Sequence, residues 1–384
     1  MNNPFKPGSG LYPPYFAGRK REVDIFRQRL KQTISGTPMH MSIIGDWASG
    51  KTSLLRRFTE VAEKEQCFVC DLITPSTDSA AVFVNYISKA LADDLRRQRG
   101  DTFFHKVKTA VDTVTGISVS AFGFGASLKM NEHDASPQFD LKVGLRTFWN
   151  EIKNHYQAMV LLIDDFDTIT ENTAKRKQIM LTMRNALMEA IQDNTKIICV
   201  VTGAQLFEQF EVAHGPLVRF FEPCEIGSLE DNEGRDAIRY PLQDTTVKFN
   251  NNVVEKIVDL TDCHPYYLQE FCYHLFEHAI HNTVDMRVFE SSYTTILHDL
   301  ARTIWRQKVY DLGDVPLKIL CLIASGCKTT QEIIDAGKEQ FNLTSGTVRG
   351  ILSRMQSRGQ LQKLGRGEYR VKDKLFGEYV KQLF

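Results

Sequence analysis

A glycine-rich segment near the N-terminus has the residue types and spacing of a phosphate-binding loop. Gly45, Gly50, Lys51 and Thr52 follow the pattern G-x-x-x-x-G-K-T within the stretch SIIGDWASGKTSLLRRF. Glycines let successive backbone N–H groups point at phosphate oxygens, and the following helix adds its positive N-terminal end. We expect Lys51 to reach the β- and γ-phosphates and the Thr52 hydroxyl to ligate Mg²⁺. The predicted loop contacts are Gly45, Asp46, Trp47, Ala48, Ser49, Gly50, Lys51, Thr52 and Ser53.

Two consecutive aspartates follow an apolar run typical of a strand that is buried on both faces. The run spans residues 159–163, and Asp164 and Asp165 come directly after it. Ligands of open α/β sheets gather where such strands end. Asp164 is therefore expected to bind Mg²⁺ directly or through water. Asp165 is placed to orient or deprotonate an attacking water, and Asp167 is a weaker candidate for that role.

A threonine ends the next apolar run, KIICVVTGAQ. Thr202 is a polar group where a γ-phosphate or the attacking water could be sensed. The alternative interpretation is an ordinary threonine at the end of a strand.

The elements around these residues predict the fold that positions them. A short apolar run, MHMSII, precedes the glycine loop, and apolar residues recur at helical spacing after it. The order strand, helix, strand, helix, acidic strand, helix, strand predicts an α/β doubly wound parallel sheet. Residues 116–130 alternate around two glycines and predict a β-hairpin without an assigned role.

The last 70 residues have a different pattern. Three amphipathic helices and a hairpin around Gly365-Arg366-Gly367 predict a winged helix-turn-helix. Residues 316–384 carry 12 Lys/Arg against 6 Asp/Glu, a net +6 in a chain whose net charge is zero. A basic surface at residues 345–374 favours duplex DNA as a partner, and a protein-interaction domain is the alternative. The basic side chains concerned are Arg349, Arg354, Arg358, Lys363, Arg366 and Arg370.

Length and composition limit the number of domains and the class of protein. The chain has 384 residues, 42% of them hydrophobic and 24% charged, which suits two or three globular domains. Lys/Arg and Asp/Glu are equal at 47 each, so no global field indicates an acidic or basic partner. No apolar run is long enough to span a membrane, and the N-terminus lacks the pattern of a secretory signal. The eight scattered cysteines favour a reduced, cytoplasmic protein.

Together these motifs resemble the AAA+/STAND division of P-loop ATPases, in particular the archaeal-type ATPases and their origin-recognition relatives. The resemblance rests on YFAGRKREVDIFRQRL at residues 15–30, the glycine loop, LLIDD and VVTG. It implies ATP as the nucleotide, slow Mg²⁺-dependent hydrolysis, and adenine contacts near Phe16 and Gly18. It also implies that Arg219 acts in trans in an ATP-dependent homo-oligomer, and that a lid turn containing Pro265 lies over the base.

The resemblance also implies a division of the chain. We expect an N-terminal arm at 1–13, an ATPase domain at 14–225, a helical lid at 226–310 and a winged-helix domain at 311–384. Three roles stay open: a nucleotide-dependent switch, a DNA-binding initiator or loader, and a signalling scaffold that binds a protein partner. A small-molecule kinase is disfavoured, because a lid and a winged domain follow the sheet.

Overall fold

The computed structural model describes residues 2–8, 12–115, 141–203 and 220–384. The chain folds into two compact units. The sheet unit is Arg19–Gly227, and the helical unit combines Met1–Gly18 with Ser228–Phe384. The predicted hairpin at 116–130 and Arg219 lie outside the described residues. No helix in the described ranges is long and apolar enough to cross a membrane.

Within its described residues, the sheet unit contains one five-stranded sheet in which every pairing is parallel. Its strands are β1 (His40–Ile44), β2 (Phe68–Ile73), β3 (Met159–Asp164), β4 (Ile197–Gly203) and β5 (Phe221–Glu225). Its helices are α1 (Lys20–Ile34), α2 (Lys51–Lys64), α3 (Ala80–Thr115, interrupted at Gly100), α4 (Leu141–Ile152) and α5 (Thr173–Gln192). All residues of β3 and β4 are buried, as their unbroken apolar runs require. The predicted P-loop NTPase fold, a doubly wound parallel sheet, is confirmed.

The strand order decides which residues meet. The order is β2-β3-β4-β1-β5, so β4 lies between the strand that precedes the glycine loop and the acidic strand. Ile43 pairs with Thr202 across β1 and β4, and Ile163 pairs with Val201 across β3 and β4. The end of β4 therefore lies between Gly45, which follows β1, and Asp164, which ends β3.

The helical unit begins with five helices and two short paired strands. The helices are α6 (Asp231–Leu242), α7 (Asn251–Thr261), α8 (Pro265–Glu277), α9 (Met286–Leu300) and α10 (Arg306–Leu312). The strands are β6 (Lys248–Phe249) and β7 (Thr283–Val284), and a π-helical turn, Ala301–Trp305, joins α9 to α10.

The C-terminal part of the helical unit is the predicted winged helix. It consists of α11 (Asp314–Ala324), α12 (Thr330–Phe341), α13 (Ser345–Ser357), an antiparallel hairpin of β8 (Leu361–Gly365) and β9 (Glu368–Val371), and α14 (Lys374–Val380). Thr329 caps α12 in a reciprocal capping box with Glu332. The helical region and its winged helix are confirmed.

Helices α6–α10 and the winged helix share one hydrophobic core. The Tyr267 hydroxyl on α8 donates to Asp373 Oδ2 at 2.8 Å and accepts from Trp305 Nε1 at 3.0 Å. Lys308 Nζ on α10 also donates to Asp373, at 3.0 Å. Residues 310 and 311 lie within α10, so the division into a lid and a winged-helix domain at this point stays a proposal.

The described residues at the start of the N-terminal arm pack against the helical unit. Phe5 is 1% exposed, and its ring lies 6.1 Å from that of Phe249 and 6.4 Å from that of Phe276. Asn3 Nδ2 donates to the Tyr273 carbonyl at 3.0 Å. A single aromatic residue between prolines and glycines gives no periodic signal, so its burial in the helical unit could not be read from the sequence.

Candidate functional site

The glycine loop lies where β1 ends and α2 begins, as predicted. The loop opens after Ile44, and Gly50, in the left-handed region at φ 94°, is the N-cap of α2. A Cβ on Gly45 would lie 2.6 Å from both the Ile226 carbonyl oxygen and Ser49 Oγ. The loop can therefore close this tightly only with glycine at Gly45 and is easiest to form with glycine at Gly50.

Lys51 is the first residue of α2 and is 8% exposed. Its Nζ donates to the carbonyl oxygens of Gly45 at 2.9 Å and Asp46 at 3.0 Å. The cation is thus held inside the ring of loop backbone, close to the N–H groups at the start of the helix. Such an arrangement suits a phosphate group, because the backbone dipoles and the ammonium act on the same anion.

In the rest of the loop, a ligand would meet backbone groups more than polar side chains. Ala48 has a left-handed backbone at φ 58°, and Trp47 is 56% exposed. Ser49 Oγ is buried and has no hydrogen-bond partner in the described part of the chain. The loop therefore retains a polar atom able to bond a ligand or a water.

Asp164 connects the loop to both neighbouring strands. Its Oδ2 accepts from Thr52 Oγ1 at 2.6 Å, and its Oδ1 accepts from Thr202 Oγ1 at 2.5 Å. The Thr74 hydroxyl after β2 donates to the Asp164 backbone carbonyl at 2.6 Å. The structure therefore brings three predicted site residues, Thr52, Asp164 and Thr202, into direct contact at the ends of α2, β3 and β4.

Asp165 has a different environment from Asp164. Its backbone is left-handed at φ 50°, and its N–H donates to Thr202 Oγ1 at 2.9 Å. Burial raises the pKa of the Asp165 carboxyl, the charges of Asp164 and Asp167 raise it further, and Lys51 opposes them. A carboxylate with a raised pKa is a stronger base, which suits proton transfer better than metal binding.

Thr202 faces the aspartates. It is fully buried, and its hydroxyl both donates to Asp164 and accepts from the Asp165 backbone. The role of Thr202 in sensing a γ-phosphate or the attacking water stays a prediction. In that role the hydroxyl would act through Asp164 and Asp165.

Sequence reasoning missed two residues of this site. Arg19 Nη2 donates to the Ser49 carbonyl at 3.1 Å and to the Gly227 carbonyl. In the sequence Arg19 only follows a glycine in a turn before a helix, and its burial was the missing information. Thr74 gave no signal, because its contact with Asp164 depends on the pairing of β2 with β3.

The residues present fit Mg²⁺ and a nucleoside triphosphate. Thr52 and Asp164 offer a hydroxyl and a carboxylate, both hard oxygen ligands that Mg²⁺ prefers. Lys51 and the loop backbone offer the positive ring that a polyphosphate needs. Within the described residues no separate cluster of three or more His, Cys, Asp or Glu could hold a metal ion.

The predicted adenine contacts lie in the helical unit. Phe16 is half-buried with its ring 6.4 Å from that of Tyr12, and Gly18 has φ 67°. Pro265 begins α8, shortly after Cys263 at φ 54°. Glycine adopts this left-handed backbone more readily than cysteine, so the turn at Cys263 is one that favours glycine. Their assignment to adenine, like that of Arg219, which lies outside the described residues, stays a prediction.

Comparison with known proteins agrees with this geometry. The AAA ATPase domain family matches residues 15–191. The Walker-type ATPase of Pyrococcus abyssi is similar over 95% of this chain and 96% of its own, with 15% identity and a TM-score of 0.57. The ORC2 protein of Aeropyrum pernix, solved in ADPNP–ADP complexes, is similar over 98% of this chain and 95% of its own, with 14% identity and a TM-score of 0.62. No curated protein gives a significant match.

The two structural likenesses show the fold, and the domain match covers the glycine loop and the acidic strand. The resemblance inferred from the sequence is confirmed. Residues 15–191 match the AAA ATPase domain family, in a chain whose fold is similar to that of the archaeal Walker-type ATPase and of the ORC2 protein.

Proposed function

We propose that this protein binds Mg·ATP, hydrolyses it slowly and uses the nucleotide state as a molecular switch. The observation that carries the proposal is the bond of 2.6 Å between Thr52 Oγ1 and Asp164 Oδ2. This bond joins α2, the helix after the glycine loop, to the end of the acidic strand β3. The Lys51 ammonium, which bonds the loop carbonyls, belongs to the same helix. The three groups are the ones that a metal-bound triphosphate requires.

Each residue has a distinct role in this proposal. Bound Mg·ATP would supply the transferable γ-phosphoryl group and the charge of the metal. Lys51 binds phosphate oxygens, and Thr52 with Asp164 holds the metal. Asp165 orients the attacking water and accepts its proton, since burial raises the pKa of its carboxyl and makes it a stronger base than an exposed aspartate.

The experiment that tests hydrolysis compares neighbouring carboxylates. Asp165→Asn is expected to keep ATP affinity and to lower turnover by about 100-fold or more, the usual contribution of a general base. Asp167→Asn is the control, and Asp164→Asn should instead raise the Mg²⁺ concentration required. Steady-state phosphate release at saturating ATP measures all three. Native turnover in Asp165→Asn with loss in Asp167→Asn would move the role of base to Asp167.

A second candidate function, duplex DNA binding, is favoured by the charge on the winged helix. Arg349 and Arg354 on α13, Arg358 at its C-cap, and Lys363 and Arg366 on the hairpin are all exposed. None of the five forms an ion pair with another residue in the described ranges. Exposed cations on a helix and a wing suit contact with phosphates.

Partner and assembly belong to the same proposal. A protein partner at this basic surface is the alternative to DNA. An ATP-dependent homo-oligomer, with Arg219 acting on a neighbouring subunit, is proposed on the sequence resemblance alone.

A further inference from the structure

Arg19 stands at a special point of the chain. The chain enters the sheet unit between Gly18 and Arg19 and leaves it between Gly227 and Ser228. Arg19 is thus the first residue of the unit, and Gly227 is the last. The guanidinium of the first residue donates to the carbonyl of the last.

The same guanidinium also binds the glycine loop. Its Nη2 donates to the Ser49 carbonyl at 3.1 Å, and its Nη1 lies 3.8 Å from Glu22 Oε1. Arg19 is only 7% exposed, so these bonds compensate for the burial of its charge. The planar guanidinium of Arg19, the residue at which the chain enters the sheet unit, therefore bonds both the loop and Gly227, the residue at which the chain leaves it.

The bond to Ser49 has a directional consequence. The C=O and N–H of a trans peptide point in opposite directions, so holding the Ser49 carbonyl also fixes the N–H of Gly50. A fixed carbonyl on the Arg19 side turns that N–H away from Arg19. Arg19 thereby fixes the direction of one of the loop's backbone donors.

The segment that leaves the unit packs on the same loop. Ile226 N donates to the Ile44 carbonyl at 2.7 Å, and the Ile226 carbonyl oxygen lies 2.6 Å from where a Cβ on Gly45 would be. The loop therefore contacts Ile226 directly and Gly227 through Arg19.

The backbone of Arg19 is also unusual. It has φ 57°, directly after Gly18 at φ 67°. A non-glycine residue persists in this region only when its surroundings determine it, and such residues cluster at functional sites. Its carbonyl accepts from Val23 N at 3.0 Å and begins α1. The buried side chain that reaches both carbonyls therefore extends from a left-handed backbone.

We propose that Arg19 is a positioning residue that couples phosphate binding in the glycine loop to the two chain passages at residues 18–19 and 227–228. It orients the Ser49–Gly50 peptide toward phosphate and transmits loop occupancy to Gly227. The inference rests on the proposed nucleotide site.

The test compares Arg19→Gln with Arg21→Gln, an exposed arginine two residues further along the chain. Affinity for Mg·ATP is measured by calorimetry, and hydrogen exchange of residues 226–229 is measured with and without saturating nucleotide. In the wild-type protein, nucleotide should slow exchange in this segment. Arg19→Gln should lower affinity by about 10- to 100-fold, the effect of losing hydrogen bonds to a charged donor, and should abolish the exchange response. Arg21→Gln should change neither.

The outcomes separate this inference from the function on which it rests. No ATP binding by the wild-type protein would contradict the nucleotide site itself. Wild-type binding together with native affinity and a native exchange response in Arg19→Gln would overturn the role of Arg19 alone. If Arg19→Gln does not fold, Arg19→Lys keeps the charge but cannot reach two carbonyls with one planar group. Arg19→Lys should bind ATP and lose the response at 226–229, and a wild-type response there would overturn the proposal.

Discussion

At the residue scale, the candidate site contains two adjacent aspartates with different surroundings. Asp164 accepts hydrogen bonds from two threonine hydroxyls, whereas Asp165 has a raised pKa caused first by burial. Thr202 contacts both, because it donates to one carboxylate and accepts from the backbone of the other residue. Its hydroxyl therefore contacts both of the residues that we propose as metal ligand and as base.

Thr202 gives a prediction at this scale. Thr202→Val keeps the shape but removes the hydroxyl that bonds both Asp164 Oδ1 and the Asp165 N–H, leaving these two atoms only their mutual hydrogen bond of 3.1 Å. Losing a hydrogen bond to a charged carboxylate costs about 1–3 kcal/mol. We expect turnover to fall and the Mg²⁺ requirement to rise, with ATP affinity less affected. Thr202→Ser keeps the hydroxyl and is the control. Equal Mg²⁺ titrations for the Val and Ser variants would show that the hydroxyl has no such role.

At the element scale, the sequence predicted the strands better than their arrangement. The runs that form β3 and β4 are apolar throughout until their polar ends, and both are buried as expected. Their order in the sheet, with β4 between β1 and β3, depends on pairings between distant segments. The contact of Thr202 with Asp164 and that of Thr74 with the Asp164 carbonyl follow from this order. They could not be predicted from local pattern.

His40 illustrates how such pairings create a buried titratable group. It begins β1 and is 2% exposed, and its Nδ1 accepts from Cys199 N on β4 at 2.9 Å. Burial lowers the pKa of His40 to about 3, so the folded protein holds it neutral. The unfolded chain protonates it near pH 6.5. Stability from this group is present above about pH 6.5 and is lost as the pH falls toward 3.

The corresponding prediction concerns acid stability. Below about pH 6 the wild-type protein should lose up to about 1.4 kcal/mol of unfolding free energy per pH unit through His40. His40→Asn keeps an acceptor for Cys199 N but does not titrate, so its loss between about pH 7 and pH 5 should be smaller. His105→Asn, at an exposed position in the same unit, should behave like wild type. Urea midpoints at both pH values measure this, and identical pH dependence in His40→Asn would refute it.

At the scale of the whole molecule, charge is separated along a chain that is neutral overall. Residues 316–384 carry 12 Lys/Arg and 6 Asp/Glu, so the remainder of the chain has a net charge of −6. The sequence alone showed this separation of charge. In the structure, basic side chains of the winged helix lie exposed on one helix and on the hairpin. The shared core of the helical unit was not predictable, because Tyr267 and Asp373 are 106 residues apart.

The prediction at this scale is weak, salt-sensitive binding of duplex DNA. With about four to six phosphate contacts, the slope of log K against log salt should be about −4 to −5. Arg354→Glu with Arg366→Glu should reduce binding without changing ATP affinity. Lys64→Glu with Lys106→Glu makes the same change in net charge on exposed lysines of the sheet unit and is the control. Fluorescence anisotropy at two salt concentrations distinguishes them, and no binding at low salt would favour a protein partner.

The central claim is that Lys51 and the glycine loop bind the phosphates of ATP. Calorimetric titration of Mg·ATP tests it most directly, with the wild-type protein, Lys51→Ala and Lys64→Ala, an exposed lysine at the other end of α2. Wild type and Lys64→Ala should bind ATP alike. Lys51→Ala should bind about 100-fold more weakly or worse, because it loses the charged donor to two phosphates. Equal affinity for all three proteins would contradict the claim.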